Sequence, residues 1–219
     1  MDLQLTGKTA IVTGSTASIG QAIALQLARE GANVAICGRN QHGVQAMMQR
    51  MQAFPGNCIG GTLDITDGPA FANWVEVVAA ELGGPDILVA NVNGAPLEEG
   101  KLQAPDIMSN IRCIRSILPW LKQSDAGSIV YIGSIAGVLG TPELAAYGAG
   151  KAALTHYMKS LAQELVPDGV RVNTVSPGDI FSEGGAWDKV KQNKPELFKK
   201  VLKRNPRGSL GTPEEVAQV

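Results

Sequence analysis

Short apolar runs alternate along the chain with longer stretches in which apolar positions recur at helical spacing. The short runs are Thr9–Val12, Asn33–Cys37, Asn57–Thr62, Ile87–Ala90, Ser128–Ile132 and Arg171–Val175. They read as apolar throughout rather than alternating, as expected of parallel strands covered on both faces. The longer stretches predict helices near 19–30, 41–53, 68–82, 106–123 and 146–166; the fourth carries Ile107, Ile111, Ile114 and Leu118 on one face. Strand and helix in regular alternation predict an α/β fold: a doubly wound parallel sheet with right-handed crossovers and helices on both sides. With no linker or repeat, residues 1–219 read as a single Rossmann-like domain of three layers. Such sheets bind ligands at the carboxyl ends of their strands, so the residues just after each run are where chemistry is sought.

Composition narrows the partners. The chain has 44% apolar and 18% charged residues and a formal charge of −1, a globular balance that gives no reason to expect nucleic acid or an anionic membrane. No apolar run is long enough for a bilayer, and the first residues lack the pattern of a signal peptide. Cys37, Cys58 and Cys113 are isolated, without metal-ligand spacing, and read as reduced thiols of an intracellular, cytoplasmic protein. One stretch departs from the average: Trp187–Arg207 holds eight Lys and Arg against Asp188 and Glu196. It is either a solvated helix face or a basic cover over a site for an acidic substrate or carrier.

After the first strand comes TGSTASIG, residues 13–20. Gly14 permits a tight turn, Gly20 a close helix, and the helix N-terminus attracts a pyrophosphate. With only two glycines, the loop alone reads equally as an ordinary strand-to-helix turn. The second strand ends in Gly38-Arg39, where NAD-binding domains place an acid for the ribose hydroxyl. Arg39 favours the 2′-phosphate of NADP instead, unless it is simply a surface cation. After the third strand, Asp64 either accepts from an adenine amino group or caps the next helix. The fifth strand leads to Ser134, and thirteen residues later stand Tyr147 and, one helical turn on, Lys151. Positions i and i+4 share a helix face. The ammonium beside the phenol favours phenolate and makes Tyr147 a workable general acid and base, with Ser134 able to bind the same substrate oxygen.

With these motifs, and with LDITD, NVNG, YIGSIAG and SPGDIFS, the chain resembles the short-chain dehydrogenases/reductases, most of all members known as 3-oxoacyl-acyl-carrier-protein reductases. The resemblance runs from Leu5 to the last residue. It implies NADP(H)-dependent interconversion of a carbonyl and a secondary alcohol, with NAD less favoured and a thioester on an acyl carrier as one substrate. It implies catalytic roles for Ser134, Tyr147 and Lys151, with Tyr147 and Lys151 also against the cofactor. The cofactor contacts it implies are Gly14, Thr16, Ser18, Ile19, Gly20, Arg39, Asp64, Ile65, Asn91 and Gly94. From the later segment it adds Pro177, Gly178, Ile180 and Ser182, which hold the nicotinamide carboxamide. It also implies a homodimer or homotetramer joined through the helices near 106–123 and 146–166.

The sequence departs from that pattern in places. Ser18 stands for a glycine, and Ser182 for the usual Thr. Asp106 falls where the family often carries an Asn of a proton relay, with Asn110 one turn further on. The stretch from Gly94 to Asp106 is short, the chain reaches Val219 inside a helix and before the usual last strand, and the substrate-side segment spans roughly 179–207. These departures leave room for a dinucleotide-binding module without turnover, or for an epimerase or dehydratase of the same fold. His42 and His156 read as surface or packing residues, as do Trp74, Trp120 and Trp187, although Trp187 and Phe181 can line a substrate pocket.

Overall fold

The computed structural model describes residues 2–92, 104–141 and 144–219, with the backbone alone for 104–106. Six strands form one parallel sheet: β1 (Thr9–Thr13), β2 (Asn33–Gly38), β3 (Cys58–Thr62), β4 (Ile87–Ala90), β5 (Ser128–Ile132) and β6 (Arg171–Val175). Their order is β3-β2-β1-β4-β5-β6, so the chain reverses direction across the sheet between β1 and β4. The crossovers are α1 (Ser18–Arg29), α2 (Gln41–Met51), α3 (Gly68–Leu82), α4 (Ala104–Leu121) and α5 (Ala145–Leu165). Helices α6 (Ala186–Asn193), α7 (Pro195–Arg204) and α8 (Pro213–Ala217) follow the last strand.

The apolar strands are explained by their two-sided burial. Successive side chains point to opposite faces. Ile11, Ala35, Leu88, Ile129 and Tyr131 enter a core with α3, α4 and α5, while Val12, Ile36, Val89 and Ile132 enter a second core with α1 and α2. Both faces of the four inner strands therefore exclude water, whereas the edge strands β3 and β6 are only partly buried, and β6 alternates exposed Arg171 and Asn173 with half-buried residues.

The predicted helices are present with ends shifted by up to two residues. The basic stretch forms two helices rather than one, because Lys194 leaves the helical conformation before Pro195 opens α7. The last helix opens on a capping box between Thr212 and Glu215 and ends at Ala217, where Gln218 N–H donates to the Glu214 carbonyl. Among the described residues, no helix is long and apolar enough to cross a membrane.

Candidate active site

The carboxyl ends of β1 and β4 open on a cleft of about 410 Å³. It is lined by Gly14, Thr16, Ser18, Ile19 and Gly20, by Arg39, by Asp64 and Ile65, and by Asn91. Nine positions expected from the sequence to touch a dinucleotide are thus brought together from four strand ends. Gly94 and the side chain of Asp106 lie outside the described residues.

Asn91 fixes the loop. Its Nδ2 donates to the carbonyl oxygens of Thr13, at 3.2 Å, and Gly14, at 3.0 Å, and its backbone N–H donates to Thr13 Oγ1. Gly14 takes φ +61°, a conformation open to glycine. A Cβ on Gly20 would overlap both the Asn91 amide and the Gly14 carbonyl, so helix α1 can begin this close to β1 only with glycine there. No side chain caps the N-terminus of α1, which leaves its first N–H groups for an anion.

At the far end of the cleft, Asp64 accepts from the Thr66 backbone N–H at 2.9 Å. That bond, and more weakly the charge of Arg39, hold its carboxyl below the usual carboxylate range. Asp64 does not cap the next helix, as one reading of the sequence had it; Asp67 does, accepting from Ala70 N–H. Helix α3 begins at Gly68 with proline in its first turn, which leaves Asp67 in the extended conformation a cap requires. An exposed guanidinium and free helix N–H groups along one cleft suit the phosphates of a dinucleotide, and the carboxylate suits a donor on its adenine or ribose.

Ser134, Tyr147 and Lys151 stand at the ends of β5 and along α5, outside the lining of that cleft. Ser134 opens a 3-10 turn over Ile135–Gly137 and accepts from Ala136 N–H at 3.2 Å. A Cβ on Gly148 would overlap the Ala136 carbonyl oxygen. This glycine lets α5 press against the turn that carries Ser134, one residue from Tyr147. Lys151 is buried, with 6% of its surface exposed. Its ammonium donates to the Ile132 carbonyl at 2.9 Å and lies 5.0 Å from the Tyr131 ring centre and 5.9 Å from that of Tyr147. Burial pushes the Tyr131 phenol up, and the neighbouring Tyr147 adds to the effect, so Tyr131 stays neutral. Asn110 is buried and donates to the Val92 carbonyl at 3.4 Å.

Pro177, Gly178, Ile180 and Ser182 do not line the cleft; one hydrogen bond ties their segment to the turn that Ser134 opens and another to the cleft. Ile135 N–H donates to the Pro177 carbonyl at 2.9 Å, and Ser18 donates to Ser182 between their hydroxyls at 2.9 Å. Beyond them, Phe181 stacks edge-on to Phe198 of α7 and lies 5.3 Å beneath the Lys191 ammonium, which sets the basic helices beside this end of the site. The roles of Asn91 as a brace, Tyr131 as a floor under Lys151 and Gly148 as a spacer were not read from the sequence. Asn91 and Gly148 had local signals, in NVNG and next to Tyr147; Tyr131 had none.

The model of the short chain dehydrogenase family matches residues 8–193. An isoepoxydon dehydrogenase of Aspergillus clavatus is 32% identical, over 98% of this chain and 86% of its own. A 3-oxoacyl-[acyl-carrier-protein] reductase of Thermotoga maritima is 31% identical, over 99% of this chain and 90% of its own. The L-sorbose reductase of Gluconobacter frateurii, solved with NADPH and L-sorbose, superposes with a TM-score of 0.88 at 27% identity, covering 100% of this chain and 89% of that one. A xylitol dehydrogenase bound to NAD+ superposes with a TM-score of 0.85 at 25% identity, over 98% and 91%.

Proposed function

The chain belongs to the short-chain dehydrogenase family, and from that premise we propose that it is an NADP(H)-dependent oxidoreductase that interconverts a carbonyl and a secondary alcohol, with Tyr147 as general acid and base. The observation that carries this reading is the buried Lys151 ammonium, anchored on Ile132 O and turned toward the Tyr147 ring. A bound nicotinamide supplies or accepts the hydride at the carbonyl carbon. In reduction, Tyr147 Oη gives its proton to the carbonyl oxygen while Ser134 Oγ hydrogen-bonds that oxygen. The Lys151 charge stabilises the phenolate that forms. Gly14, Thr16, Ser18, Ile19, Gly20 and Asn91 hold the pyrophosphate and central part of the cofactor. Asp64 and Ile65 hold its adenine, and Arg39 its 2′-phosphate. Pro177, Gly178, Ile180 and Ser182 hold the carboxamide.

The substrate we favour is an anionic carbonyl compound such as a 3-oxoacyl thioester on an acyl carrier. The similarity to the Thermotoga reductase supports it, as do Lys189, Lys191, Lys194, Lys200 and Lys203, which form no ion pair among the described residues. The same reading has the enzyme in the cytoplasm as a dimer or tetramer joined through α4 and α5, where Met108 is exposed on α4.

The test follows the nicotinamide absorbance with NADPH and a panel of a 3-oxoacyl-CoA, a ketose and a cyclic ketone. Oxidation of NADPH, fastest with the thioester, supports the proposal. Cofactor binding with no turnover on any carbonyl would point to a binding module, and product without net absorbance change to an epimerase or dehydratase.

A further inference from the structure

The pyrophosphate contact proposed for Ser18 does not account for its side chain. It is the first residue of α1 and takes φ +49°, a left-handed conformation that is costly for any residue with a Cβ and open to glycine. Its hydroxyl reaches across the molecule to Ser182 Oγ, 164 residues on, at 2.9 Å. Ser182 in turn presents its carbonyl to Gly185 N–H, at the start of α6. The same segment is held on its other side by Gly211, whose N–H donates to the Asp179 carbonyl and whose carbonyl accepts from Phe181 N–H. The segment that leads into the basic helices is therefore pinned from two directions, by the residues before α8 and by the phosphate loop.

We infer that Ser18 is a positioning residue for the substrate-side segment: through Ser182 it ties the loop at the pyrophosphate end of the cleft to the segment beside the reacting end. A glycine at this position would relax the backbone but leave Ser182 without this anchor. The inference rests on reading the cleft as a dinucleotide site only for its kinetic consequence; the tie itself belongs to the protein without cofactor.

The experiment compares the parent with Ser18→Gly, Ser182→Ala, the double variant and Ser182→Thr, which keeps a hydroxyl. Hydrogen exchange of the Phe181 and Gly185 amides is measured first, without cofactor. Loss of one hydrogen bond should speed it roughly five-fold in either single variant. The double variant should be no faster than the singles, because both remove the same bond, and Ser182→Thr should keep the parent rate. Relief of the left-handed backbone should leave the melting temperature of Ser18→Gly at or above that of the parent, which separates a loosened segment from a general loss of stability. At saturating NADPH, Ser18→Gly should then lower kcat. Unchanged exchange, or additive effects of the two substitutions, would overturn the tie. A raised KM for NADPH with kcat intact would also overturn it, since that is the mark of a residue that only grips phosphate. If the parent binds no dinucleotide at all, the exchange measurements still decide the tie, and it is the cofactor reading that falls.

Discussion

The Lys151 ammonium rests 5.0 Å from the centre of the Tyr131 ring, inside the core on the α5 side of the sheet. A cation over an aromatic face gains about 0.5–2 kcal/mol, more where water is excluded. The Tyr131 hydroxyl is buried and has no partner among the described residues. The ring is thus the useful part of this side chain. Tyr131→Phe should keep activity and raise the melting temperature by about 2–4 °C, the effect of about 1 kcal/mol in a chain of this size. Tyr131→Leu removes the face under the ammonium and should lower kcat at every pH tested. A fall in melting temperature for Tyr131→Phe would show that the hydroxyl has a partner after all.

Tyr147→Phe removes the proton but keeps the ring near Lys151. Turnover should fall by roughly 10²–10⁴, the range for a lost general acid. NADPH affinity, measured by quenching of the three tryptophans, should stay at the parent value. Turnover at the parent rate would remove Tyr147 from the mechanism.

Arg39→Ala tests the choice of cofactor. A lost charge-assisted hydrogen bond to a phosphate is worth about 1.5–3 kcal/mol, so NADPH should bind about 10–150-fold more weakly. NADH has no phosphate there and should bind as before. Equal losses for both cofactors would mean that Arg39 serves the fold or the adenine and does not select the phosphate.

Burial pushes the Cys37 and Cys113 thiols up to about 12. In the unfolded chain a thiol ionises near 8.5. Below that value both states hold the proton and the thiols do not affect the balance. Above it the unfolded chain releases protons that the folded one retains, so stability falls as pH rises from about 8.5 toward 12. By pH 10 the loss should reach about 2 kcal/mol per thiol. Urea midpoints at pH 7 and 10 should converge in Cys37→Ala relative to the parent, even though the cavity lowers both. An unchanged alkaline slope would mean that the thiol is hydrated in the native state.

Much of this was legible along the chain because the signals are local. Ile11 and Val12 point to different cores yet are both apolar, so a strand covered on both faces announces itself. Tyr147 and Lys151 share a helix face by spacing alone. What the sequence hid depends on chain closure. The Asn91 amide braces a carbonyl 78 residues away, and Ser18 meets a residue 164 away; no periodicity carries such pairs. Tyr131 looked like one more core residue of a strand, and only the packing of α5 puts an ammonium over it. Asp64 and Asp67 are both acids before a helix, and the point where α3 begins decides between them.

The basic helices α6 and α7 give the molecule a property that its overall charge conceals. Eight cations and two acids leave 187–207 at +6, and since the whole chain carries −1, everything else carries −7. Near neutrality the charge is strongly uneven along the chain although its sum is almost zero. Cation and anion exchangers should both retain it, and its tendency to self-stick should be greatest in dilute buffer, where opposite charges of neighbouring molecules attract unscreened. Added salt should disperse it once the Debye length falls below the separation of the opposite charges.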